Sequence, residues 1–149
     1  MLVRLNKGDQ IEILAPGSFV DKEDDLINGI AILKKWGLQI NQNNSLQRRF
    51  SYFSGDDLTR FEELQKAQKS KLIIFAKGGW GSARLLEKEP SWGNGLMLGF
   101  SDTCSLLISK YSQGYFGSIH GPMVTSLSKE PEWSLKRLRN LLFEGYVDD

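Results

Sequence analysis

Apolar residues along this chain alternate between short unbroken runs and stretches in which they recur every three or four positions. The run Gln10-Ile11-Glu12-Ile13-Leu14-Ala15 predicts a strand, closed by Pro16 and Gly17. The spacing of Leu26, Ile27, Ile30 and Leu33 predicts a helix over residues 22–36, with Asp21 as N-cap and Gly37 as stop. Residues 38–41 read as a short second strand. The polar stretch 41–55 is long for a plain connection, which marks it as mobile or functional. Asp56 opens a second helix, with Leu58, Phe61, Leu64 and Ala67 at helical spacing and a polar ending at Lys69-Ser70.

Lys71-Leu72-Ile73-Ile74-Phe75-Ala76 is apolar almost throughout, as a strand covered on both faces must be. It runs into Lys77-Gly78-Gly79-Trp80-Gly81-Ser82, where glycines allow close backbone approach and N–H groups can form an anion nest. A helix over Ser82–Lys88, a strand over Leu96–Gly99 and a helix over 103–111 are expected next. A short strand at 115–119 then leads to the turn His120-Gly121-Pro122-Met123. Pro131 opens a last helix in which Leu135, Leu138 and Leu142 share a face, ended by Gly145. Strands alternating with helices predict an α/β fold, a three-layer sandwich with a mainly parallel sheet and helices on both faces, Rossmann-like or flavodoxin-like.

A chain of 149 residues matches one typical domain. Its net charge of +1, with acids and bases interspersed, argues against nucleic acid or an anionic membrane as partner. Residues 1–10 are too polar for a signal peptide, and no apolar run approaches the ~20 residues that span a bilayer. Cys104 is the single cysteine, so no internal disulfide is possible and a cytoplasmic setting is expected. Its place inside a helix makes it a small buried residue.

In a parallel sheet, ligands bind beyond the carboxyl ends of the strands. Pro16-Gly17-Ser18, Gly78 to Gly81, Ser101-Asp102 and His120-Gly121 all fall there. Leu96-Met97-Leu98-Gly99-Phe100-Ser101-Asp102 carries a serine from a strand into a helix, the turn that presents a nucleophile in α/β hydrolases. The stretch lacks the second glycine of G-x-S-x-G, and an ordinary helix cap is the competing reading. The glycine loop fits neither G-x-G-x-x-G nor a P-loop; a tight structural turn is the better alternative and is compatible with oxyanion binding. His120, the single histidine, reads as a structural or pocket-lining residue rather than a base. Arg84 is either a clamp for a substrate carboxylate or a brace for the loop, and Ser18, Gly78, Trp80 and Gly81 share that pair of alternatives.

Gly78-Gly79-Trp80-Gly81-Ser82-Ala83-Arg84, Gly99-Phe100-Ser101-Asp102 and His120-Gly121-Pro122-Met123, in this order, resemble the N-terminal domain of the LD-carboxypeptidase family. These serine peptidases include muramoyltetrapeptide carboxypeptidases and microcin C immunity peptidases. Gly8-Asp9-Gln10-Ile11, Ala15-Pro16 and Ser54-Gly55-Asp56 extend the resemblance to nearly the whole chain. It implies cleavage of an L,D-peptide bond to a C-terminal residue, as in peptidoglycan recycling, in a cytoplasmic enzyme that needs no metal or other cofactor and is a homodimer when full length. Ser101 matches the nucleophile, and the N–H groups of Asp102 and of the loop near Gly79 match the oxyanion hole. Trp80 stands where Tyr is frequent and Gly17 where Ser is frequent.

Members of that family run to about twice this length. Their C-terminal domain supplies the His and Glu of a Ser-His-Glu triad, and His120 does not replace that histidine. The expectation is therefore that residues 1–149 form a single N-terminal nucleophile domain, that the C-terminal catalytic domain is absent from this chain, and that the chain alone is nearly inactive. A non-catalytic module binding a carboxylate or other anion, or serving assembly, is the alternative.

Overall fold

The computed structural model describes residues 3–41 and 44–147. Five strands form one sheet in the order β2-β1-β3-β4-β5: β1 Gln10–Leu14, β2 Gln39–Ile40, β3 Leu72–Phe75, β4 Leu96–Gly99 and β5 Ser118–His120. Every pairing is parallel, with Ile13 opposite Ile74, Ile73 opposite Met97 and Leu98 opposite Ile119. Parallel strands need crossovers, and the helices α1 Glu23–Lys35, α2 Asp57–Ala67, α3 Cys104–Ser112, α4 Val124–Leu127 and α5 Glu132–Glu144 supply and flank them.

The unbroken apolar runs serve two separate cores. Ile11, Ile13, Leu72, Ile74, Leu96 and Leu98 point to one face, where Leu26 and Leu33 of α1, Val124 and Leu127 of α4, and Leu138 and Leu142 of α5 cover them. Leu14, Ile73, Phe75 and Met97 point to the other, against Leu64 and Ala67 of α2 and Leu106 and Leu107 of α3. Period-2 alternation within strands buried on both sides explains why β3 and β4 show no polar face in the sequence. The three-layer α/β arrangement is the one expected.

Several local expectations are corrected. Lys22, not Asp21, occupies the N-cap of α1, because Asp21 is drawn into an ion pair with Lys77 at 2.5 Å. Ile27 and Leu58 are both 55 % exposed; the buried stripes run through Leu26, Gly29 and Leu33, and through Arg60, Leu64 and Ala67. Ser82–Lys88 is a 3-10 rather than an α-helix, bounded by left-handed Gly81 and Glu89, the latter just before Pro90, which disfavours helical backbone in the residue preceding it. The last strand is Ser118–His120, so His120 ends the strand instead of following it. Pro131 is the N-cap of α5, one position before the first turn. Cys104 is half-buried at the start of α3. Of the 41–55 stretch, Asn44–Leu46 forms a 3-10 turn and residues 50–53 a tight reversal, while 42 and 43 lie outside the described residues.

Candidate active site

All carboxyl ends of a parallel sheet open on one edge, and the order places a reversal between β1 and β3, the crevice where such folds bind ligands. The turn after β1 and the glycine loop after β3 meet there. Ser18 Oγ donates to the Gly78 carbonyl at 2.8 Å, so Ser18 braces the loop. Gly79 has φ +115, a conformation rare for L-residues, and a Cβ there would overlap Ser18 Oγ and stand 3.1 Å from Tyr52 Oη. The tight reversal at 50–53 delivers that tyrosine: Phe50 and Phe53 exchange backbone hydrogen bonds of 2.7 and 2.9 Å, and Phe19 N donates to Tyr52 O.

Ser101 follows β4 with φ +59, left-handed for a residue that carries a Cβ. Phe100 before it is fully extended, and a 3-10 turn, Ser101–Thr103, leads into α3. The backbone therefore reverses sharply and leaves Ser101 exposed. Thr103 Oγ1 donates to the Phe100 carbonyl at 2.8 Å and ties the turn from within. Strain of this kind persists only where surrounding packing enforces it and clusters at functional sites. A Cβ on Gly78 would lie 3.1 Å from Ser101 Cβ and 3.3 Å from its Oγ, so the glycine loop passes directly against the serine.

The Asp102 carboxylate turns to Ser82. Its Oδ2 accepts the Ser82 N–H at 2.9 Å and lies 2.6 Å from Ser82 Oγ, which is itself 2.8 Å from the Asp102 carbonyl. Ser82 is fully buried. The Arg84 guanidinium makes a paired contact with Asp57 at 2.6 Å, and that hydrogen bond, with the charge behind it, holds the Asp57 carboxyl below its usual range. His120 is exposed, its ring 6.3 Å from that of Phe100. Among the described residues neither His120 nor any other base hydrogen-bonds Ser101 Oγ.

Arg60 is the residue joining these turns that sequence reasoning missed. Its side chain is fully buried, its guanidinium lies 4.6 Å over the Phe53 ring, and it donates to the carbonyls of Gly55, Pro16 and Gly81 as well as to Asp57. Burial pushes its pKa down, partly offset by Asp57. The signal was present, since Arg60 falls on the inward stripe with Asp57, Leu64 and Ala67. Trp80 is 59 % exposed and stacks on Phe53 at 5.4 Å, at the mouth of the crevice beside Tyr52. A separate cavity of about 620 Å³ lies between α1 and the segment around Leu46 and Arg48, and none of the strand-end residues 78–81 or 101–102 lines it.

Among the described residues no group of three His, Cys, Asp or Glu side chains has the proximity to hold a metal ion, and no helix is long and apolar enough to cross a membrane. What the edge offers is an exposed hydroxyl on a strained turn, at the N-terminal end of a helical segment whose first N–H groups lack helical acceptors, against a glycine loop.

The family model of the LD-carboxypeptidase N-terminal domain matches residues 11–121. The chain belongs to that family. A protein named as a carboxypeptidase in Synechocystis sp. is 36% identical over 148 residues, covering 93% of this chain and 48% of the relative. One named as a murein peptide carboxypeptidase in Bacillus subtilis is 28% identical, covering 82% and 40%. The chain thus spans about half the length of the curated relatives it matches. Among solved structures, the microcin C7 self-immunity protein MccF in its apo state superposes with TM-score 0.85 at 20% identity over 96% of this chain and 47% of MccF. The muramoyltetrapeptide carboxypeptidase of Oxalobacter formigenes gives 0.67 at 22%, over 88% and 47%. At such identities these two establish the LD-carboxypeptidase fold for this chain and nothing finer.

Proposed function

We propose that these residues are the nucleophile-bearing domain of a serine carboxypeptidase that cleaves the bond to a C-terminal residue, an L,D-peptide bond of a peptidoglycan tetrapeptide or a related peptide. The observation that carries the reading is Ser101, held at φ +59 on an exposed strand-to-helix turn against Gly78. In this mechanism Ser101 Oγ attacks the scissile carbonyl, and the N–H groups of Asp102 and Gly79 hold the oxyanion, each donor contributing about 3 kcal/mol to the transition state. A hydroxyl of ordinary pKa needs a base. The Ser-His-Glu triad is completed by a His and a Glu of a C-terminal domain, which is this chain's own partner in a homodimeric, cytoplasmic enzyme that uses no cofactor. Trp80 and Tyr52 border the substrate; Ser18, Gly78, Gly81 and Arg84 shape the loop; His120 lies at the rim.

Hydrolysis of an L,D-tetrapeptide by the full-length gene product, followed by release of the terminal residue, tests this. Turnover should vanish in Ser101→Ala, and the 149-residue chain should be nearly inactive. Undiminished turnover in Ser101→Ala overturns the reading. A peptidyl nucleotide is the other substrate class to assay, since MccF is known in complex with glutamyl sulfamoyl guanosine.

The lack of a base beside Ser101 among the described residues favours a second reading, a module that holds a carboxylate or other anion without cleaving it. Calorimetry on the full-length product separates the two: binding of small anions without turnover supports the module.

A further inference from the structure

Two charged side chains that take no part in bond cleavage grip a single peptide unit of the glycine loop. Arg60 Nη1 donates to the Gly81 carbonyl oxygen at 3.1 Å, and Asp102 Oδ2 accepts the Ser82 N–H at 2.9 Å. These atoms are the two ends of the peptide bond joining Gly81 to Ser82. A cation at the oxygen and an anion at the N–H both favour the same peptide dipole, so each contact strengthens the other in a site of low dielectric.

The two grips come from different parts of the fold. Arg60 belongs to α2 and is immobilised by the Gly55 and Pro16 carbonyls and by Asp57. Asp102 belongs to the turn that carries Ser101. Ser82 carries the side-chain hydrogen bonds between glycine loop and serine turn, and Ser105 Oγ, which donates to the Asp102 carbonyl at 2.9 Å, backs them from α3. The Gly17 backbone covers this junction closely: a Cβ there would stand 3.0 Å from Asp102 Oδ2 and 2.9 Å from the Trp80 carbonyl.

The geometry points to the Asp102 carboxylate as a positioning residue that, with Arg60 at the opposite end, locks the Gly81–Ser82 peptide and so sets the spacing between the glycine loop and the Ser101 turn. The inference rests on the proposed hydrolase reading, in which one oxyanion donor belongs to Gly79 and the other to Asp102. Donors on separate loops serve a common oxygen only if both sit about 2.7–3.1 Å from it, and a displacement near 1 Å costs about a hundredfold in rate. Asp102 then contributes twice, its N–H facing the reaction and its carboxylate holding the other donor's loop.

Amide exchange and ¹⁵N relaxation of the 149-residue chain test the lock directly, with kinetics of the full-length gene product as the second readout. Asp102→Ala should speed exchange of the Ser82 amide about tenfold or more and loosen residues 78–81, while the β4 and α3 amides keep their protection. Asp102→Asn, which keeps an acceptor oxygen, should restore most of that protection. Ser82→Ala, a mild change that keeps the amide, should loosen the loop to a smaller degree and decides the matter if Asp102→Ala does not fold. In the full-length product Asp102→Ala should lower kcat about tenfold or more with KM within about twofold, and Asp102→Asn should recover most of the loss. Unchanged loop dynamics in both Asp102→Ala and Ser82→Ala, or a loosened loop with wild-type kcat, overturns the inference. A wild-type product without Ser101-dependent turnover refutes the hydrolase reading instead, and the exchange data still decide whether the lock exists.

Discussion

At the scale of single residues, Ser101 shows how chemistry and stability pull apart. Left-handed backbone costs a residue with a Cβ about 1–2 kcal/mol, while glycine adds about 0.5–1 kcal/mol of chain entropy to lose on folding. The first term is larger, so Ser101→Gly should raise the unfolding free energy by about 0.5–1 kcal/mol in urea titration, whereas Ser101→Ala, which keeps the Cβ, should leave it nearly unchanged. A stability gain in the variant that removes the hydroxyl would mark the conformation as kept for function; a loss would mean that the turn is not strained. The serine turn was legible in the sequence although G-x-S-x-G was incomplete. The first glycine of that pattern is present because a Cβ at Gly99 would overlap Thr103 Oγ1 and stand 2.7 Å from the Phe75 ring. In place of the second, Thr103 ties the turn through its hydroxyl to Phe100.

At the scale of elements, packing overruled propensity at several points. Gly29 sits mid-helix in α1, where glycine costs about 1 kcal/mol relative to alanine, yet a Cβ there would overlap the Val124 carbonyl of α4. Gly29→Ala should therefore lower stability by about 1–2 kcal/mol net despite the better helix former, because forcing two backbones apart costs more than propensity returns. An increased urea midpoint would show that α4 simply moves aside. The same crossing explains why α4 went unread: its four residues, Val124–Leu127, are too few to show a period and owe their helix to docking on α1. Arg60 eluded the reading for the converse reason, a charge on a buried stripe, two of whose carbonyl partners, Pro16 and Gly81, come from distant loops.

At the scale of the molecule, the carboxylates give a pH dependence of definite sign. Asp57 is held below its usual range by its hydrogen bond to Arg84 and the nearby charges, Asp21 by its hydrogen bond to Lys77, and Asp56 by the Thr59 backbone N–H it caps. A carboxyl lowered in the folded state contributes stability that is complete above its unfolded pKa of about 4 and is lost as pH falls through the lower folded value. Stability should thus be flat around neutrality and decline below about pH 4, and Asp57→Asn should flatten part of that decline. Thermal unfolding at intervals between pH 7 and pH 2 checks this; an Asp57→Asn curve parallel to wild type would remove Asp57 from the account. Exposed pairs such as Lys129–Asp25 contribute little and should show mainly as salt sensitivity.

The sequence by itself determined the alternation of strands and helices, the parallel α/β class, and the placing of Ser18, Gly78 to Gly81, Ser101-Asp102 and His120 at one sheet edge. Those features depend on local periodicity and turn chemistry, which a short window of residues contains. Only the tertiary structure decided what the residues at this edge touch: Arg84 on Asp57, His120 exposed beside Phe100, Ser18 on the Gly78 carbonyl, and Arg60 and Asp102 on the two ends of one peptide bond. Hydrogen bonds between loops some 20 to 60 positions apart leave no periodic trace, because their partners become neighbours only once the sheet has brought the strand ends together.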